Sequence, residues 1–526
     1  MKTYHKYIGI IIILIIIIII MMFIIPGKAF NPDAASLIQR MPDIDPDYTD
    51  IILPPNIAPL NFKIKEPGNN FYVKIYSEKG EPVEINSSTP KIEIPLQSWK
   101  KLLAANKGQE ITIKIYAETD DGNWNEYRQI SNFIAEELID SHLAYRLIMP
   151  AHNFWNEIGI YQRNLENFDE SPILVNKLTD NNCMNCHNFK NNDPDNMVMH
   201  LRGGPAGGTL LIRNGQTLKI NTATDFNQAG AYPSWHPDNN RIAFSVNNLT
   251  MFFHAKGTGR DVLDKESDII IYQIESNTIT TSPKISDPQR METFPCWSPD
   301  GKYLYFCSAP MLQSFVYLRD DSTEDLKYDN IRYDLMRVAY NAENNIWGEL
   351  ETVLSSSETG KTILEPRISP DGRYALLTMA SYGNFPIYMT DSDVYLLDLD
   401  KRVYKRLDIN SDRSDSFHAW SSNGRWFVFA SKRRDGVCGN AYFSYFDQNG
   451  NTGKPFIMPQ EDPEFYDTFF RNYNVPELIK GPVKSTPQQL ARIAGNKEIL
   501  NAVPDPVLNA LKRKGNKHTD AKTTIE

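Results

Sequence analysis

Cys183-Met184-Asn185-Cys186-His187 is the stretch of this 526-residue chain whose residue types and spacing specify a chemistry. It reads C-x-x-C-H. Two thiols three positions apart can form thioethers with the two vinyl groups of one porphyrin, and the imidazole that follows is then held as the proximal iron ligand. The expectation is one covalent haem c on Cys183, Cys186 and His187. For the sixth iron position His200 ranks first, ahead of Met197 and Met199, with an open position as the remaining choice. On this reading the metal ligands are His187 and His200, and Arg202 is a partner for a propionate. A zinc site from Cys183, Cys186, His187 and His200 is the alternative, but adjacent Cys and His are awkward ligands for one tetrahedral ion. The other cysteines (Cys296, Cys307, Cys438) are scattered singly and supply no second pair. A thioredoxin-like site needs a strand-to-helix context, whereas the flanks Asp180-Asn-Asn182 and Asn188 to Asn192 read as loop.

Haem attachment of this kind requires export, and the N-terminus agrees. Lys2, His5 and Lys6 precede an apolar run from Ile8 to Ile25 that Pro26 ends. Its length is at the short end of a bilayer span and long for a signal-peptide core. Residues 1–29 are therefore expected to be an uncleaved anchor in the cytoplasmic membrane. Cleavage near Gly27-Lys28-Ala29 is the second choice. Positive charge before the run and a polar chain after it put the bulk in the periplasm or cell envelope. The net charge of −10 offers no basic field for a nucleic acid, so none is expected as a partner.

The elements that must position the motif follow. Residues 30–59, rich in Pro and Asp, read as a spacer. Residues 60–140 alternate with period two (Phe71 to Tyr76, Lys91 to Ile94, Ile111 to Tyr116) and are expected to form a small β-sandwich. From Tyr232 the chain repeats itself. Tyr232-Pro-Ser-Trp235-His-Pro-Asp238, Phe294-Pro-Cys-Trp297-Ser-Pro-Asp300-Gly301, Glu365-Pro-Arg-Ile368-Ser-Pro-Asp371-Gly372 and Phe417-His-Ala-Trp420-Ser-Ser-Asn423-Gly424 each join two strands through a tight turn. The Asp of each turn is expected to be a turn former and not a calcium ligand. A further strand follows each hairpin, at Asp268 to Tyr272, Tyr333 to Arg337, Asp393 to Leu397 and Ala441 to Tyr445.

Four strands per repeat is the period of a β-propeller, and the W-S-P-D-G-[KR] core resembles the TolB-like propeller family. The resemblance covers about residues 208–460, and the propeller is placed at 208–470. The first copy departs from it at His236 and Asn239-Asn240, the fourth at Ser422-Asn423. The fold class expected is all-β, a propeller of five or six blades behind a sandwich. An additional blade takes Leu210 to Ile220 as its outer half, with His142 to Ile148 and Ile158 to Gln162 as its inner half. The haem segment, within residues 141–207, is then a loop-rich insertion into that first blade. Residues 471–526 are expected to be a polar tail with a capped helix after Ser485-Thr486-Pro487.

The function expected is that of an exported monohaem c-type cytochrome. Electrons would pass one at a time through the haem while the propeller docks a redox partner or other envelope protein. The alternative is a TolB-like interaction scaffold with structural haem or none. No catalytic triad is visible, and His236, His254 and His418 are dispersed, so an enzyme is not expected. If the Asp300-Gly301 hairpin has two-residue register, Cys296 lies opposite Tyr305, too far from Cys307 for an easy disulfide.

Overall fold

The computed structural model describes residues 32–150, 157–225, 227–253, 260–311, 328–506 and 508. Six sheets with a four-strand core follow one another. From inner to outer edge, blade 1 is Asn472–Ile479, His142–Ile148, Gly159–Asn164 and Glu170–Val175. Blade 2 is Cys183–Phe189, Met197–Arg202, Gly208–Arg213 and Gln216–Asn221. Blades 3 to 6 begin with the inner strands Ala231–Trp235, Arg290–Trp297, Thr362–Ile368 and Asp415–Trp420. Every blade pairs its strands antiparallel, and each inner strand contacts the next until blade 1 meets blade 2 again. That closed ring of inner strands, with meandering sheets radiating from it, is a six-bladed β-propeller.

The repeated turn is built as its residues require. In blade 4 the Ser298 hydroxyl donates to Asp300 at 2.7 Å and accepts from the Tyr303 N–H, while the Lys302 N–H donates to Asp300. Gly301 takes φ 72° in the left-handed region open to glycine. Ser369 with Asp371 and Ser421 with Asn423 repeat the arrangement. The Asp is thus a turn former, as expected. Cys296 also lies opposite Tyr305, and all five cysteines are free thiols.

Several expectations need correction. The haem segment is not a loop-rich insertion, because Cys183–Phe189 is a strand and the innermost of blade 2. The hairpin Leu210 to Ile220 is the outer half of that same blade and not of the first. Asparagine-rich flanks carry little strand propensity, but the ladder to Met197–Arg202 and the ring of inner strands override it. The described residues from 471 to 506 are not a tail, and residues 509–526 lie outside the described residues. Asn472–Ile479 returns to pair with His142–Ile148 and closes the ring, while Leu500–Asn501 and Val503–Pro504 extend blades 2 and 3. The capped helix is present as Pro487–Ala494, with Thr486 and Gln489 forming a capping box.

Ahead of the propeller, a seven-stranded sheet and the three-stranded sheet Ile44–Asp45, Phe62–Ile64 and Lys91–Ile92 enclose an apolar core with the helix Leu96–Ala105. Residues 36–53, expected as a spacer, contribute three short strands to it, and Tyr48, Ile51 and Leu53 are buried there. This unit is joined to blade 6, where the Trp426 indole donates to the Glu137 carbonyl and Ser422 binds Asp140. The described residues contain no helix long and apolar enough to cross a membrane. The expected anchor at residues 8–25 lies outside the described residues.

Candidate functional site: the mouth of the propeller channel

One backbone feature recurs in all six inner strands. Cys186, Tyr232, Phe294, Glu365, Phe417 and Val475 each have φ between 45° and 53°, and each lies at a register shift in its ladder. These are β-bulges, one per blade, and a bulge re-aims side chains that strict alternation would place on the sheet faces. The residue after the bulge is Pro233, Pro295, Pro366 and Pro476 in four blades, where no N–H is needed. In the other two it is His187 and His418. Aligned this way, C-x-x-C-H is a variant of the repeat and occupies a position that the repeat already builds.

The bulges line a cavity with about 850 Å³ of unfilled space, part of it open to solvent. Its wall mixes aromatic and proline residues (Tyr232, Phe294, Phe385, Phe417, Pro386) with buried charged and amide side chains such as Arg146, Arg367, Glu365 and Glu477, and Cys186, His187 and His418 are set into it. Both histidines are buried, and burial pushes each imidazole down to about 3, so both are neutral. The Val475 backbone supports the His187 ring, whose Nε2 has no hydrogen-bond partner. His418 Nδ1 lies 3.4 Å from Thr378 Oγ1, and the Leu376 and Glu365 backbones also engage its ring. A neutral imidazole with one nitrogen steadied and the other bare is the form that binds a metal.

The charges around the cavity are unbalanced. Arg146 is fully buried, and its guanidinium donates to the Met184 carbonyl and to the side-chain oxygens of Asn185 and Asn474, none of them a carboxylate. Its Nε has no partner. The nearest acids are weakened: burial raises the Glu365 carboxyl and pushes Glu477 up to about 7. Glu477 accepts from the Phe189 N–H and the Asn188 side chain. A second, more polar cavity with about 1180 Å³ of unfilled space, part of it also open to solvent, adjoins the first at Arg367, Ala419 and Glu477.

The sequence-predicted residues divide. Cys186 and His187 share the upper cavity. Cys183 is three residues back on the same strand, buried, and belongs to the apolar core between blades 1 and 2. Burial raises the Cys186 thiol, while the charges of Arg202 and Arg146 oppose that rise, so Arg202 stands near the motif. His200 does not share the cavity. It sits on the second strand, opposite Asn185 and Thr209, with Nδ1 3.2 Å from Thr209 Oγ1. Met197 and Met199 are core side chains between blades 1 and 2. Among the described residues, no three His, Cys, Asp or Glu side chains converge as a metal cluster. His418, set aside in the sequence as dispersed, lines the same cavity, and the sequence signal for this is its alignment with His187 at the proline position.

No family model and no curated protein matches the chain. Among solved structures it is similar to Kuenenia stuttgartiensis hydrazine synthase (12% identity, TM-score 0.30, 51% of this chain and 64% of that chain). It is also similar to oligogalacturonate lyase from Vibrio parahaemolyticus (11%, 0.31, 59% and 92%) and to the Swd1 β-propeller domain of Myceliophteria thermophila (11%, 0.28, 53% and 88%). The chain thus spans just under two thirds of the hydrazine synthase chain. At these scores the likenesses carry no argument about activity, and the propeller assignment stands on the strand order of the chain itself.

Proposed function

We propose that this chain is an exported, membrane-tethered monohaem cytochrome built on a TolB-like propeller, which carries out one-electron transfer while the propeller docks an envelope partner. The observation that carries the reading is His187. Within a C-x-x-C-H sequence, its buried neutral imidazole presents a bare Nε2 to an aromatic-lined cavity shared with Cys186. The residues that would hold the group are Cys183 and Cys186, both free thiols that would form the two thioethers, and His187, whose imidazole would bind the iron, although Cys183 packs in the core between blades 1 and 2. When bound, haem supplies a reversible one-electron change at iron.

The remaining roles belong to the chain. The bulge at Cys186 turns Cys186 and His187 out of strand alternation and toward the channel. Val475 steadies the His187 ring. The Tyr232, Phe294 and Phe417 walls keep water from the apolar part of the site. Arg146 and Arg202 bring positive charge to a cavity whose acids burial has weakened, which suits a cofactor with two carboxylates. The propeller rim, formed by loops between blades, is the surface for a partner.

A second reading is the envelope scaffold without functional haem, and the observation favouring it is the packing of Cys183 into the core between blades 1 and 2. One experiment separates them. The full chain is expressed with a cytochrome c maturation system, denatured, and stained on a gel for covalent haem. A stained band that Cys183→Ser and Cys186→Ser together abolish is expected. An unstained parent chain leaves the scaffold.

A further inference from the structure

We infer that the neck joining the two cavities is a binding site for a small organic carboxylate, with Arg367 as its anchor. The site goes beyond the haem reading, and none of the C-x-x-C-H residues takes part in it. Two residues past each bulge, the inner strands of blades 1 to 6 carry Glu477, Asn188, Ser234, Cys296, Arg367 and Ala419. All six line the second cavity, and Arg367, Ala419 and Glu477 line the first as well. Arg367 belongs to blade 5, and the blades on either side of it place Cys296 and Ala419 at this level. Both are short side chains, which leaves room around the guanidinium.

The positive charge at the neck is not met from within the chain. Among the described residues Arg367 has no carboxylate within ion-pair distance, and its guanidinium donates only to the Pro366 carbonyl, at 3.3 Å. The two carboxyls that line the cavities are turned to other partners. Glu365 accepts from the Thr378 hydroxyl and the Phe417 N–H, and Glu477 from the Asn188 side chain and the Phe189 N–H. Burial weakens both as counter-charges. Arg146 is a second buried guanidinium in the first cavity that donates to no carboxylate, and its Nε has no partner. Lys480 adds a cation to the lining of the second cavity. Cations held away from water without a counter-ion are unfavourable, and an anion carried in by a ligand offsets that cost. A planar carboxylate matches the forked donor edge of a guanidinium. Phe294, Phe385 and Phe417 of the first cavity would then receive the short apolar part of the acid.

The test titrates the full chain with sodium butyrate by calorimetry, both with and without haem maturation, and with sodium sulfate at equal ionic strength as the comparison. One saturable butyrate site is expected in both preparations, with sulfate bound more weakly. Arg367→Gln should weaken butyrate binding at least about tenfold, as loss of charge-assisted hydrogen bonds implies. Arg367→Lys, which keeps the charge and loses the fork, should fall between the two. Glu477→Gln removes a carboxyl that feels the Arg367 charge and should bind butyrate at least as tightly as the parent. A parent with no saturable butyrate site overturns the assignment, as does an Arg367→Gln chain with the parent's affinity. Sulfate bound as tightly as butyrate overturns the carboxylate as the ligand. Butyrate binding that haem attachment abolishes gives the neck to the cofactor and overturns the site as well. A chain that never stains for haem but binds butyrate through Arg367 fails the haem reading and leaves this site standing.

Discussion

In blade 4 the inner strand runs Phe294-Pro295-Cys296-Trp297, and in blade 2 the same register reads Cys186-His187-Asn188-Phe189. The backbone is shared down to the left-handed bulge residue, with φ 52° in both strands. The side chains differ at the bulge and the two positions after it. Blade 4 fills its position with aromatic and proline bulk, and Trp297 packs against Tyr340 at a tilt and stacks with Trp347 in the core between blades. Blade 2 puts a thiol and an imidazole in the equivalent places. A propeller whose ring fixes each inner strand can therefore exchange packing residues for chemical ones at one blade without redesigning the backbone. The comparison makes two claims: that the ring holds the strands, and that blade 2 differs from its neighbours in chemistry and not in architecture.

Removing the ring's closing strand tests the first claim and carries the largest expected effect. A chain ending at residue 471 lacks Asn472–Ile479, which pairs with His142–Ile148 and touches the inner strands of blades 2 and 6. Tyr473, Leu478 and Ile479 would leave the core. Cooperative thermal unfolding should disappear, and a truncated chain that melts as sharply as the parent would refute the closed ring. Trp297→Ala removes the aromatic anchor of blade 4, and truncating a buried Trp costs about 3–5 kcal/mol. Denaturant unfolding should show that loss with an unchanged slope.

Blades 2 and 4 also differ two residues before the bulge, where Met184 faces the core and Glu292 replaces it in blade 4. Glu292 is buried, and burial raises its carboxyl to about 8, Asp287 adding to the rise and Arg290 opposing it. Tyr333 lies close enough to feel its charge. The folded value lies above the ordinary 4.5, so the native chain holds a proton there that the unfolded chain releases. Its stabilisation is complete below about pH 4.5 and is lost as the pH climbs to about 8. At about 1.4 kcal/mol per unit the loss is on the order of 4 kcal/mol. Glu292→Gln should flatten stability between pH 5 and 8, measured by urea titration at each pH. A variant with the parent's full pH slope would locate the effect elsewhere.

How far the sequence disclosed this arrangement depended on how each segment is held. The S-P-D-G hairpins of blades 4 and 5 were legible because Ser, Asp and Gly build their turn from local hydrogen bonds. The strand Cys183–Phe189 was not, since nothing local makes it extended and its partners come from Met197–Arg202 and the neighbouring blades. Asn472–Ile479 was read as tail for the same reason: its partner His142–Ile148 lies more than 300 residues earlier. For the site, Cys186 and His187 were readable from spacing alone. His418 was not, because only the superposed blades reveal that it stands where His187 stands.

The smallest change to the fold is also the sharpest test of the second claim. His187→Pro gives blade 2 the residue that blades 1, 3, 4 and 5 carry after the bulge. Proline needs φ near −65° and offers no N–H, and four blades show the backbone there meeting both conditions. If blade 2 differs from the others only in chemistry, the variant should fold to the same β content, with stability within about 1 kcal/mol of the parent. Its thiols remain, so covalent haem should still stain, while loss of the His187 imidazole changes the visible spectrum. Gross destabilisation would mean instead that the His187 ring is a packing element of the ring closure, and that blade 2 departs from its neighbours in architecture as well.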